Sequence, residues 1–130
     1  MDVNLYDLTV LNDLAITSGD LVANDYDITI GGDFIVENGT TYTPGSNWTI
    51  FNGTSTQNLE INTGSALDMN KFMIHKPSGS VLTIAGSQNA LNVADSMMIQ
   101  TGTLSDGGKT INMSGSLLYN SGVHAGAGKV

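Results

Sequence analysis

Asp25 and Asp27 stand two residues apart, and Asp33 follows the pair Gly31-Gly32. They come closest in this chain to a carboxylate cluster. Glycoside hydrolysis needs two carboxyl groups facing each other across a cleft, and Ca2+ binding needs several oxygens converging on one point. A single i, i+2 pair on an extended strand supplies neither, because both side chains leave the same face in the same direction. The spacing predicts a solvated outer face. The calcium-binding nonapeptide is not matched either, since Gly31-Gly32-Asp33-Phe34 lacks its fourth-position glycine.

The remaining reactive residues are sparse. His75 and His124 are the two histidines and there is no cysteine, so neither a thiolate metal site nor a closely spaced histidine pair is written into the chain. Ser and Asp are abundant, yet no G-x-S-x-G elbow is present to hold a serine strained and exposed. There is no arginine. Lys71, Lys76, Lys109 and Lys129 are the four basic residues, which weighs against lyase chemistry that uses Arg or Lys as base and charge stabiliser. No catalytic, cofactor-binding or metal-ligating residue is assigned, and the chain is expected not to be an enzyme.

Charge narrows the partners. Twelve acidic residues against four basic ones give a formal charge of −8, which repels phosphate backbones and anionic bilayers, so neither nucleic-acid binding nor membrane insertion is expected. Yet 12% of residues are charged, about half the usual share, so the polar surface must be Asn, Thr, Ser and Gly. That bias suits an extracellular or cell-surface repeat protein. The N-terminal MDVNLYDLTV has no basic start and no apolar stretch of signal-peptide type, so an exported protein would carry its signal elsewhere, and the chain is expected to be a fragment of a longer array.

The elements that must position these residues have a period of two. Tyr26, Ile28 and Ile30, then Phe34 and Val36, Leu59 and Ile61, Leu82 and Ile84, and Met97 and Ile99 alternate with polar residues in runs of three to five; Trp48 and Ile50 give the same pattern. Turn signals such as Gly31-Gly32-Asp33, Pro44-Gly45-Ser46, Asn52-Gly53 and Asp106-Gly107-Gly108 separate them. Such spacing fits a meandering sandwich or a solenoid. An internal repeat favours the solenoid: residues 8 to 40 slide onto 91 to 123 without a gap, matching Leu8/Leu91, Val10/Val93, Ile16/Ile99, Gly19/Gly102, Leu21/Leu104, Ile28/Ile111, Gly32/Gly115 and Gly39/Gly122. A coil cannot bury its inward face alone, so inward aliphatics and corners must recur wherever coils stack. The predicted core is therefore Leu8, Val10, Ile16, Leu21, Ile28, Leu91, Val93, Ile99, Leu104 and Ile111. At about 20 residues per coil the whole chain, 1 to 130, forms about six coils of one segment, and the offset between the two copies spans roughly four.

Four Asn-x-Ser/Thr triplets begin at Asn38, Asn47, Asn52 and Asn112. In so Asn- and Thr-rich a chain they need no sugar, and asparagines at equivalent positions of successive coils can form hydrogen-bonded ladders instead. Trp48 shares its face with Ile50, so Phe51 must point the other way or cap a corner; packing of these aromatics is favoured over sugar binding.

Certain phrases resemble the repeat regions of large surface adhesins of gliding bacteria of the Bacteroidetes group, exported by the type IX secretion system. Trp48-Thr49-Ile50-Phe51-Asn52-Gly53-Thr54 is similar to their "VTFNG" strand, residues 71 to 84 to "FYNLTINKSSGTVTL", and residues 102 to 111 to "GTLNTGGNTLTV". Asp95-Ser96-Met97 resembles the O-glycosylation acceptor of that group, which would place a sugar on Ser96. The resemblance implies an all-β, right-handed parallel β-helix or β-solenoid within a cell-surface filament or stalk that works in adhesion and gliding motility. Its partners would be neighbouring repeats or further copies end to end, surface glycans, and the secretion machinery; no cofactor is implied. A β-helical polysaccharide-degrading enzyme and a viral or phage fibre segment are the rival readings.

Overall fold

A computed structural model describes residues 6–130. Met1, where the single segment 1 to 130 was drawn to begin, lies outside the described residues. The described residues form fifteen strands and no helix, and every strand pair among them is parallel, giving a β-solenoid of about six coils. The chain visits three faces in strict rotation. The first face carries β1 (Leu8–Val10), β4 (Ile28–Ile30), β7 (Trp48–Phe51), the second halves of β9 (Leu67–His75) and β11 (Ala90–Thr101), and β14 (Ser116–Tyr119). The second carries β2 (Leu14–Ile16), β5 (Phe34–Val36), β8 (Gln57–Ile61), β10 (Val81–Ala85), β12 (Thr103–Ser105) and β15 (Val123–Ala125). The third carries β3 (Asp20–Val22), β6 (Thr41–Thr43), the first halves of β9 and β11, and β13 (Thr110–Met113). Parallel neighbours require a crossover, and here the other two faces of the same coil supply it.

Inward columns follow from the register. Leu8, Ile28, Thr49, Phe72, Met97 and Leu117 stack on the first face, and Leu14, Phe34, Leu59 and Ile84 on the second. Eight of the ten predicted core residues are buried, while Leu8 and Val10, in the first coil described, are half-buried. Phe34, Phe51 and Phe72 are fully buried; Phe51 meets Phe72 edge-on at 5.6 Å and tilts against Phe34 at 6.4 Å. Burying each such side chain contributes about 1.5–3 kcal/mol, which offsets the entropy of ordering a Gly-rich chain.

Two expectations change. Trp48 and Ile50 face outward, and the inward residues of β7 are Thr49 and Phe51. Phe51 thus does point away from Trp48, but it does so into the core; β7 tolerates the polar Thr49 there because the Tyr42 hydroxyl lies 2.7 Å from its Oγ1. Second, the offset between the two sequence copies is not a whole number of coils. Coil length itself varies, for the path from Phe34 to its register partner Leu59 is longer than the path from Leu8 to its partner Ile28. Leu8 lies in the column of Met97 on the first face, whereas Leu91 stands on the third. Ile16 is on the second face and Ile99 on the first; Leu21 is on the third and Leu104 on the second. Each pair is displaced by one face. The repeating unit in the sequence is therefore a strand with its corner, and the offset stops one face short of a full set of coils.

Candidate functional site: a trough on the open face

The first two faces stack without interruption, but the third does not. There β3 pairs only with β6, and the ladder resumes at β9, so β6 and β9 form no backbone pairing. β9 is held to β7 along its second half, from Lys71 onward, while its first half pairs with β11 and not with β6. Two hollows lie at and beside this break. One hollow of ≈ 420 Å3 lies at the break itself, between Thr41 and Tyr42 on one side and Leu67 and Asp68 on the other. A trough of ≈ 400 Å3 continues from Asp68 across the later coils, lined among others by Pro44, Gly45, Asn70, Asn92 and Asn112. Both volumes lie within the range of small-molecule sites.

The trough floor is a side-chain ladder. Asn112 Nδ2 donates to Asn92 Oδ1 at 2.8 Å, and Asn92 Nδ2 donates to Asp68 Oδ1 at 2.7 Å. The three residues occupy equivalent outward positions of β13, β11 and β9. Two asparagines and an aspartate thus form a ladder of the kind the sequence allows, and of the four triplet asparagines Asn112 belongs to it. Beside it the Oδ1 of Asn70 is enclosed and has no hydrogen-bond partner. The wall is the turn Pro44-Gly45-Ser46, clamped from the preceding coil: Asp25 Oδ1 accepts from the Ser46 amide at 2.7 Å and its hydroxyl at 3.0 Å, and Asp27 Oδ1 accepts from the Trp48 amide at 2.8 Å. These bonds hold the Asp25 carboxyl below its ordinary range, the Ser46 amide contributing most. Gly45 has φ +70, and a Cβ there would lie 2.6 Å from Asp25 Oδ1, so only glycine lets the turn close on its clamp.

The carboxylates first singled out are therefore coil-to-coil clasps. Asp7 accepts from the Asp27 amide at 2.9 Å, Asp13 from the Asp33 amide at 2.8 Å, and Asp33 in turn from the Asn58 amide at 2.7 Å. Asp25, Asp27 and Asp33 do not converge on a common point; each bridges to a different amide of the next coil.

The other flagged residues have equally local roles. His75 is exposed at the end of β9. His124 Nε2 lies 2.9 Å from the buried Asp106 Oδ2, and Asp106 Oδ1 accepts from the amides of Gly108 at 2.7 Å and Gly128 at 2.9 Å. Burial would raise the Asp106 pKa, but the two amides and His124 outweigh it and lower it below the usual carboxylate value. Among the described residues no group of three or more His, Cys, Asp or Glu could hold a metal ion. Asn47 is buried and donates to Tyr42 and Trp48, while Asn38 and Asn52 lie exposed on turns. Trp48 is half-buried with Lys71 Nζ 5.8 Å from its ring centroid. Ser96 lies beside Asp95, its hydroxyl 3.0 Å from Oδ1.

Lys76 is the residue that sequence reasoning missed. It is 1% exposed at the corner between β9 and β10, and its Nζ donates to Gly53 O at 2.7 Å, Ser55 O at 2.8 Å and Gln57 Oε1 at 2.6 Å. Gln57, also buried, passes the bonding on through Nε2 to Ile30 O and Gly32 O one coil earlier. Three acceptors and no donor around one nitrogen describe an ammonium ion. Burial pushes its pKa down to about 8, opposed by the negative charge of Asp33. The signal in the sequence was faint: a lone lysine alternating in phase with the inward Phe72 and Ile74.

No protein-family model, no curated protein and no solved structure matches this chain.

Proposed function

We propose that this chain is a structural and adhesive repeat module of a long cell-surface filament or stalk, non-catalytic and extracellular, whose coils set reach and stiffness while its outer surface makes weak, repeated contacts. The observation that carries this reading is the spending of polar groups on stacking: Asp7, Asp13, Asp27 and Asp33 each clasp an amide one coil on, and Lys76 ties its coil to the corner before it. Groups used in this way serve cohesion along the coil axis. The resemblance to gliding-motility adhesins of the type IX route, with a right-handed coil and with neighbouring repeats, surface glycans and secretion machinery as partners, supports the same reading. Many weak contacts on one filament would act through avidity. The test is adhesion: beads coated with the purified segment are expected to adhere to polysaccharide-coated surfaces and beads coated with an unfolded Ile28→Asp variant are not. Equal retention of both, or release of reducing ends from the polysaccharide, would overturn the reading.

A further inference from the structure

Beside the break in the third face lies a trough lined in part by polar groups with unspent hydrogen-bonding capacity. We propose that it binds an uncharged linear polysaccharide lying parallel to the coil axis, an inference that rests on the adhesive reading and names its ligand class. Three features point there. Along the ladder Asn112 and Asn92 each spend one amide N–H on their neighbour, so each keeps its second N–H, Asn112 keeps its carbonyl oxygen, and Asp68 keeps Oδ2. Carboxamides that donate and accept side by side match sugar hydroxyls, which do the same. Asn70 also lines the trough, its Oδ1 enclosed and unpartnered.

The second feature is the repeat. Parallel coils rise by about 4.8 Å, close to the length one pyranose adds to an extended glycan, so successive sugars can meet Asp68, Asn92 and Asn112 in the same way. The third is charge. Asp68 sits in the floor of a molecule of net charge −8, which disfavours uronate and sulfated chains. The wall fits this use as well: Pro44-Gly45, fixed by Asp25, stands along one side of the floor without filling it.

The experiment is a two-dimensional amide NMR titration of the intact segment with neutral β-linked gluco-oligosaccharides of two to six units, alongside an oligogalacturonate of the same lengths. Saturable shifts are expected at Asp68, Asn70, Asn92 and Asn112, with affinity rising with length up to about four units and no response to the uronate. Asn92→Ala, whose fold is checked by its melting curve, is expected to weaken binding about five- to tenfold, the loss of one or two neutral hydrogen bonds. Absence of saturable shifts at these residues, equal binding of the uronate, or unchanged affinity in a folded Asn92→Ala protein would overturn the proposal. Should bead adhesion persist undiminished in Asn92→Ala, the trough assignment fails while the adhesive reading stands; should wild-type beads not adhere at all, the adhesive reading fails.

Discussion

The second and third faces of this solenoid are built from the same chain by the same rotation, yet they end differently. On the second face six strands run from β2 to β15 in one unbroken ladder. On the third, β3 and β6 form a separate pair and the ladder begins again at β9. The difference lies in how the coils are held at their edges. From β5 to β8 the coil lengthens, and the extra chain is pinned from inside by Lys76 and Gln57. Between β8 and β9, by contrast, none of the residues from Asn62 to Ala66 is buried, so no internal pin of that kind holds the segment that leads into the unpaired start of the third-face ladder. An uninterrupted face stays paired from coil to coil, whereas the interrupted one holds a hollow.

The largest effect should come from the unbroken column. Ile28 is fully buried, and Ile28→Asp places an unpaired carboxylate in the apolar core; the cost exceeds the few kcal/mol by which domains of this size are stable. Circular dichroism is expected to show no cooperative melting transition. Ile111→Asp, at a position that is 1% exposed, should act in the same direction.

Next comes the corner that lets the coil lengthen. Lys76→Met keeps most of the volume and orphans the carbonyls of Gly53 and Ser55, while Gln57 Oε1 keeps the Gly53 amide, for an expected loss of about 2–4 kcal/mol in denaturant titrations. The pH dependence has a definite sign. The folded pKa of about 8 lies below the ordinary 10.5, so between those values the unfolded chain binds more protons and stability rises with pH, by about 3 kcal/mol across the window. Subtracting the Lys76→Met profile removes the contributions of the tyrosines. A flat difference would mean that the ammonium is not desolvated as the geometry requires.

A smaller effect is expected at Asp106. Asp106 has a lowered pKa, so its contribution is complete above the ordinary value of 3.8 and is lost as pH falls below it. Because it holds Gly128 and His124 in the last coil described, acid should loosen that coil first, seen as faster amide exchange at Gly128 while β5 and β8 stay protected. The smallest effect belongs to Asp25→Asn. Asparagine keeps the Oδ1 acceptor for Ser46 and tolerates the φ of +69 at this position, so the melting temperature should not move.

Much of the architecture was legible because alternation with a period of two and glycine-rich corners are local signals. Ile28, Ile30, Phe34, Val36, Leu59 and Ile61 all alternate as they pack. Other features were not legible, for physical reasons. Coil length varies with the corner insertions, so the self-similarity of residues 8 to 40 with 91 to 123 reports strand-plus-corner units and misplaces Ile99 by one face. The phase of β7 is fixed by a distant hydroxyl, Tyr42, which admits Thr49 to the core and turns Trp48 outward. The carboxylates were read as a solvated outer face and their clasping went unseen, because an aspartate that caps an amide one coil ahead has no signature in its own neighbourhood. The trough was invisible for a related reason: it arises where two strands fail to pair.

The account turns on coils that stack in parallel register on two faces and part on the third. Through-space proton contacts in an isotope-labelled sample test both halves together. They are predicted to link Thr29 to Ile50, Ile50 to Met73 and Met73 to Met98 in succession on the first face, with no backbone pairing between Thr41–Thr43 and Leu67–Met69. Antiparallel contacts, or a continuous ladder from β6 into β9, would contradict it.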